Sequence, residues 1–165
     1  MLTKCLIIML MLLAVNPAFA VCSKNSINLD WLHENYNDIE VLVQKKEKNS
    51  SLIPVLNTLG DIWYKRYGGT TGEVSPLLAK ALITNPDLML SVLADYPESF
   101  SRWLSQLQGT LFTDFTGTQF NELKKLHSRL YKAMQEYTKT GHENLIPFAR
   151  RLAEKLKTIK IRTVD

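Results

Sequence analysis

Apolar residues recur every three or four positions along most of this chain, the spacing of helices that each bury one face. Leu29, Leu32, Tyr36, Ile39 and Val43, with Leu42 beside them, predict a helix over about 29–47. Glu34, Asp38, Glu40 and Gln44 fall on its opposite face, Trp31 lies off the stripe, and the polar run from Lys45 to Ser51 ends it. Leu52, Val55, Leu56, Leu59, Ile62, Trp63 and Tyr67 repeat the pattern in a second helix capped by Ser51, with Pro54 tolerated in the first turn. Gly60 weakens that helix modestly, and Gly68-Gly69-Thr70-Thr71-Gly72 stops it as a linker.

Ser75-Pro76, Asn85-Pro86 and Asp95-Tyr96-Pro97 each read as a helix start, because a proline at the first helical position gives up an N–H that has no partner there. The short helices that follow carry Leu77, Leu78, Leu82 and Ile83, then Leu88, Met89, Val92 and Leu93, then Phe100, Trp103, Leu104 and Leu107. Helices this short must pack on neighbours, since nucleation costs more than so few hydrogen bonds return. The segment from Thr110 to Gly117 has branched and aromatic residues without a helical period and is the one candidate for a structured loop or extended piece. Thr116 and Gln119 fit a capping box opening a long helix to about 138, with Phe120, Leu123, Leu126, Leu130, Met134 and Tyr137 as its buried stripe and Gly141 at its end. A final helix from Asn144 buries Leu145, Phe148, Ala149, Leu152, Leu156 and Ile159. The expectation is an all-α domain of about seven helices, with a short stack of helical hairpins of the HEAT or armadillo kind as its architecture. The regions 28–57 and 75–107 nevertheless show no clean internal repeat.

The first residues change the compartment rather than the fold. Lys4 precedes the apolar run from Cys5 to Val15, and Ala18-Phe19-Ala20 has the small-x-small form of a signal-peptidase site. The apolar run is too short to span a bilayer, which takes about 20 residues. A cleaved signal peptide over 1–20 and a single domain over 21–165, periplasmic or secreted, follow as expectations. Cleavage near Ala20 leaves Cys22 as the single thiol, so intramolecular disulfides are excluded and a periplasm fits better than a eukaryotic secretory route. Val21 before Cys22 disfavours lipid attachment, and an unpaired terminal thiol is the preferred reading. Asn49-Ser50-Ser51 is a sequon that matters only on the eukaryotic route.

The formal charge of +4 is unevenly spread. Val21 to Leu123 holds 8 Lys/Arg against 12 Asp/Glu, while Lys124 to Asp165 holds 11 against 4. Such a split steers acidic partners toward the C-terminal end or reflects solvated faces that attract each other within the fold.

No catalytic set emerges. His33, His127 and His142 match no metal-ligand spacing, and no cofactor is expected. His33 has Glu34 and Asp38 nearby on its helix, a pairing that surface helices produce by chance. Glu73, Asp87, Asp95, Glu98 and Asp114 are candidate acids for hydrolysis only in the sense that any carboxylate is. The glycine loop lacks the Gly-Lys-Ser/Thr ending of a phosphate cradle.

Surface features are more suggestive. Trp63-Tyr64-Lys65-Arg66-Tyr67 combines residue types enriched at binding hot spots; Trp63 and Tyr67 belong to the apolar stripe, which leaves Tyr64, Lys65 and Arg66 outside. Phe112, Asp114 and Phe115 either present an acid flanked by aromatics or tuck both rings beneath the loop. Arg150, Arg151, Lys155 and Lys157 surround the stripe of the last helix, a pattern shared by interfacial helices and by terminal helices docked on a core, with docking preferred. The expectation is a non-enzymatic exported protein that binds another protein, in its concrete form an immunity or inhibitor protein against a toxin or cell-envelope enzyme. An envelope hydrolase with acids from different helices and an anion- or membrane-surface module on the basic C-terminal helices are the alternatives. Neither nucleic acid nor stable membrane insertion is expected.

Overall fold

The computed structural model describes residues 24–46 and 51–164, and the signal-peptide, Cys22 and sequon readings lie outside them. The described residues form seven helices: α1 (Lys24–Val43), α2 (Leu52–Tyr64), α3 (Thr70–Thr84), α4 (Pro86–Ala94), α5 (Pro97–Leu111), α6 (Phe120–Thr140) and α7 (Ile146–Thr158). Thr113–Asp114 (β1), inside the segment read as a structured loop or extended piece, pairs in parallel with Arg162–Thr163 (β2), where the sequence carries no strand signal. Arg162 N–H donates to the Phe112 carbonyl at 3.1 Å and Val164 N–H to the Asp114 carbonyl at 3.0 Å. The segment after α7 is thereby stitched to the loop after α5. No helix among the described residues is long and apolar enough to cross a membrane.

Helix α3 is the hub, packing against α1, α2, α4, α5 and α6. Its Val74, Leu77, Leu78, Ala81 and Leu82 are fully buried, on more than one side of the helix. The helix also begins one and a half turns before the predicted start. Gly68 takes φ +43°, which closes the turn early, and burial of Thr71 and Val74 holds the added residues in the helix. Pro76 therefore lies inside α3, and the hydrogen bond its ring removes is outweighed by that burial.

At Gly60 a Cβ would stand 2.2 Å from Val92 Cγ1, so the glycine lets α2 and α4 approach closely. At the end of α6, the Tyr137 hydroxyl donates to Asp87 Oδ1 at 2.5 Å, tying α6 to the first turn of α4. Burial first, and then this hydrogen bond, push the Tyr137 phenol up to about 12. His127 sits 2.9 Å from the Leu156 carbonyl, which sets α6 and α7 side by side with the start of one near the end of the other.

The predicted capping box is replaced by a different device. Asp114, with 0% exposure, accepts the Thr116 N–H and hydroxyl on Oδ1 at 3.0 Å each and the Gln119 N–H on Oδ2 at 2.8 Å. A carboxylate outcompetes a threonine hydroxyl for these donors, so α6 starts at Phe120 and the loop wraps on Asp114. Gly117 provides the φ of +71° that the wrap requires. Burial raises the Asp114 pKa, but the hydrogen bonds from Thr116, Gln119 and Gly117 outweigh it and hold the carboxyl below its ordinary value.

Candidate binding face at the end of helix α2

The clearest concentration of unusual side chains lies where α2 ends and α5 begins. After Tyr64 the backbone tightens: Lys65 N–H bonds the Asp61 carbonyl at 3.1 Å, and Arg66 N–H the Trp63 carbonyl at 3.4 Å. This early stop reverses two sequence expectations. Tyr67, expected in the apolar stripe, is 79% exposed, whereas Arg66, expected outside, is 6% exposed. The helical register that would have buried position 67 has ended, and the chain turns Arg66 inward instead.

The Arg66 guanidinium lies 4.7 Å from the Trp63 ring centre. It donates to the Trp63 carbonyl and, at 3.1 Å, to the Ser99 carbonyl in the first turn of α5. Both acceptors are neutral, and among the described residues no carboxylate comes within 4.0 Å of Arg66. Arg102 adds a second cation, its guanidinium 3.4 Å from the Ser99 hydroxyl. Burial, reinforced by repulsion from Arg102, lowers the Arg66 pKa to about 10. Among the described residues, Arg66 Nε and Trp63 Nε1 are the buried side-chain donors without a hydrogen-bond partner, and they belong to this one contact. A buried charge without a counter-charge is costly, and unpaired buried donors are rare in native folds.

Tyrosines frame the pair of arginines. Tyr64 stacks on Tyr96 with ring centres 4.2 Å apart. Tyr64, Lys65, Tyr67, Glu98, Ser99 and Arg102 line an open hollow of about 500 Å³. Lys65 leans on Asp61 at 3.5 Å. Rigid aromatics around arginine are the composition of interface hot spots, and a guanidinium receives a carboxylate in two-pronged fashion.

The other predicted residues are elsewhere. Phe112 and Asp114 are buried as loop anchors, with no surface to offer, while Phe115 is 70% exposed. Ser99 and Phe112 stand at opposite ends of α5, 13 residues or about 20 Å apart along its axis, so the face around Tyr64 and the Phe112–Phe115 segment form separate surfaces. On α7, Arg151 donates to the Ser101 hydroxyl at 2.8 Å and covers the Phe100 ring, and Lys157 pairs with Glu154 at 2.6 Å. That hydrogen bond, donated to Glu154, raises the Lys157 pKa. Arg150 is exposed and Lys155 half-buried. Because Ala149, Leu152, Ala153 and Leu156 are buried against the domain, the apolar stripe of α7 is not presented outward. His33 pairs across helices with Glu73 at 2.8 Å rather than with Glu34 or Asp38 on its own helix. No group of three or more potential metal ligands gathers among the described residues.

Sequence reasoning missed Tyr96, Ser99 and Arg102 as members of this face. Only Arg66 among the sequence candidates signals them, through its need for acceptors in the fold. The chain matches no protein-family profile, no curated protein and no solved structure.

Proposed function

We propose that this chain is an exported binding protein, and that it holds its partner protein at the face formed by Tyr64, Tyr67, Tyr96, Arg66 and Arg102. The partner brings a carboxylate to the two arginines, and the tyrosines exclude water around that contact. An inhibitor or immunity protein acting on a toxin or cell-envelope enzyme is the concrete form of this reading.

The observation that supports it is the buried Arg66 charge, compensated among the described residues by neutral carbonyls and lying beside Arg102. A partner carboxylate supplies the missing counter-charge in a desolvated setting, where a guanidinium–carboxylate contact is strongest. The exposed Tyr67 and half-exposed Tyr64 add rigid area at low entropic cost.

The test is capture from host envelope extract on the tagged chain, washed at 50 and 500 mM salt, with captured proteins identified by mass spectrometry. The expected result is a stoichiometric protein that survives high salt, in a complex burying about 1,600 Å². Loss of all captured material at 500 mM, or capture of lipid alone, contradicts the proposal.

A further inference from the structure

A second surface, separate from the tyrosine face, lies between α1, α3 and the first half of α6. It is a groove of about 1150 Å³, more than twice the volume of the hollow beside Tyr67, which is about 500 Å³. The two share no lining residue.

The groove exists because the apolar stripe of α6 is only partly covered. Leu130 and Met134 are fully buried, but Leu123 and Leu126 remain half-buried and line the groove with Pro76, Ile83 and Leu111. Phe120, at the start of the same stripe, is exposed.

Its charges are unequal. Glu40, Glu122, Lys80, Lys124, Lys125 and Arg129 line it, four cations against two carboxylates. Both carboxylates are already engaged, Glu40 by Lys80 and Glu122 by Lys125, the latter at 2.7 Å. Lys124 and Arg129 have no carboxylate within 4.0 Å among the described residues. Tyr36 contributes a half-buried hydroxyl, and burial first, then Glu40 and Glu73, raise its pKa, so it stays protonated and able to donate.

We infer that this groove takes a short acidic segment of a partner polypeptide, its apolar side chains on Leu123, Leu126 and Ile83 and its carboxylates on Lys124 and Arg129. Lys124 and Arg129 are five positions apart on α6, a rise of about 7.5 Å. They are also turned about 140° from each other around the helix, so they flank the Leu123 and Leu126 stripe on opposite sides, where carboxylates on both flanks of the segment's apolar face meet them. The floor is aliphatic and offers Tyr36 as its one ring, which suits leucine-like side chains better than a row of stacked bases.

The probe is a fluorescein-labelled helical peptide of Glu-Leu-Leu-Glu repeats, followed by anisotropy on the full chain at low salt. Saturable binding is expected, and it weakens at least about tenfold in a K124E/R129E double variant, because each lost exposed pair reverses to repulsion. Both side chains are on the surface, and unchanged circular dichroism checks that the variant stays folded. A peptide with lysine in place of glutamate should fail to bind. The double variant Y67A/R102E should bind the acidic peptide normally, which separates this groove from the tyrosine face. Three results overturn the inference: no saturable binding, equal binding by K124E/R129E, or tighter binding of a single-stranded oligonucleotide of matched charge than of the acidic peptide.

Discussion

The Trp103 indole N–H donates to the Ser75 hydroxyl at 3.0 Å, and that hydroxyl donates onward to the Thr71 carbonyl at 2.5 Å. Both side chains are fully buried, so this relay satisfies an indole with no other acceptor among the described residues and joins α5 to the hub helix. Substituting Ser75→Ala leaves the Trp103 N–H buried and unpaired. Urea unfolding should show a loss of about 1–3 kcal/mol. The companion Trp103→Phe in the Ser75→Ala background should cost less than the sum of the two single changes, because no polar group is then stranded.

Gly60→Ala should destabilise the domain even though alanine is the better helix former by about 1 kcal/mol. The new Cβ collides with Val92 Cγ1, and a β-branched side chain in a helix has little rotameric room to yield. A cost of about 1–3 kcal/mol is expected, as for other overpacked cores. Thermal denaturation of Gly60→Ala with Val92→Ala should recover part of the loss; a neutral or stabilising single variant contradicts the close approach of α2 and α4.

Tyr137 predicts alkaline sensitivity. Its pKa in the fold is about 12 against an ordinary 10.0, so the phenol contributes stability that is present below about pH 10 and is lost as pH rises toward 12. The full contribution is roughly 2–3 kcal/mol. Stability measured between pH 9 and about 11.5 should therefore fall more steeply in the wild type than in Tyr137→Phe. Arg66 is common to both variants, so its contribution cancels in the comparison.

Arg66→Met should leave stability within about 1 kcal/mol of the wild type or raise it, since an aliphatic stem replaces a buried charge that has no counter-charge among the described residues. The Trp63 and Ser99 carbonyls each lose a charge-assisted donor, and the Trp63 carbonyl keeps the Arg66 backbone N–H at 3.4 Å. Guanidinium unfolding is the check, and a loss above about 3 kcal/mol means that the charge is instead well compensated inside the fold.

The helices were legible wherever an apolar stripe ran long, as from Leu52 to Trp63 or from Leu145 to Leu156, because burial of a regular face decides the local structure. What escaped were the ends. Pro76 reads as a start because a local rule favours it, yet the long-range burial of Thr71 and Val74 carries the helix past it. Thr116 and Gln119 read as a capping box, yet the buried Asp114 takes their donors. Gly60 reads as a weak point, and only Val92, 32 residues away, explains it. The candidate face was least legible, since the helix ends one turn before the apolar stripe does and so exchanges the fates of Arg66 and Tyr67. Its other half, Tyr96, Ser99 and Arg102, joins through tertiary contact alone.

The affinity of the captured partner for the wild type and for Arg66→Met, measured by titration calorimetry with folding verified for both, bears most directly on the central claim. A charge-assisted contact in a desolvated setting predicts at least a tenfold weaker Kd, about 1.4 kcal/mol or more, with stability preserved. An unchanged Kd with a folded variant would show that the partner engages some other face.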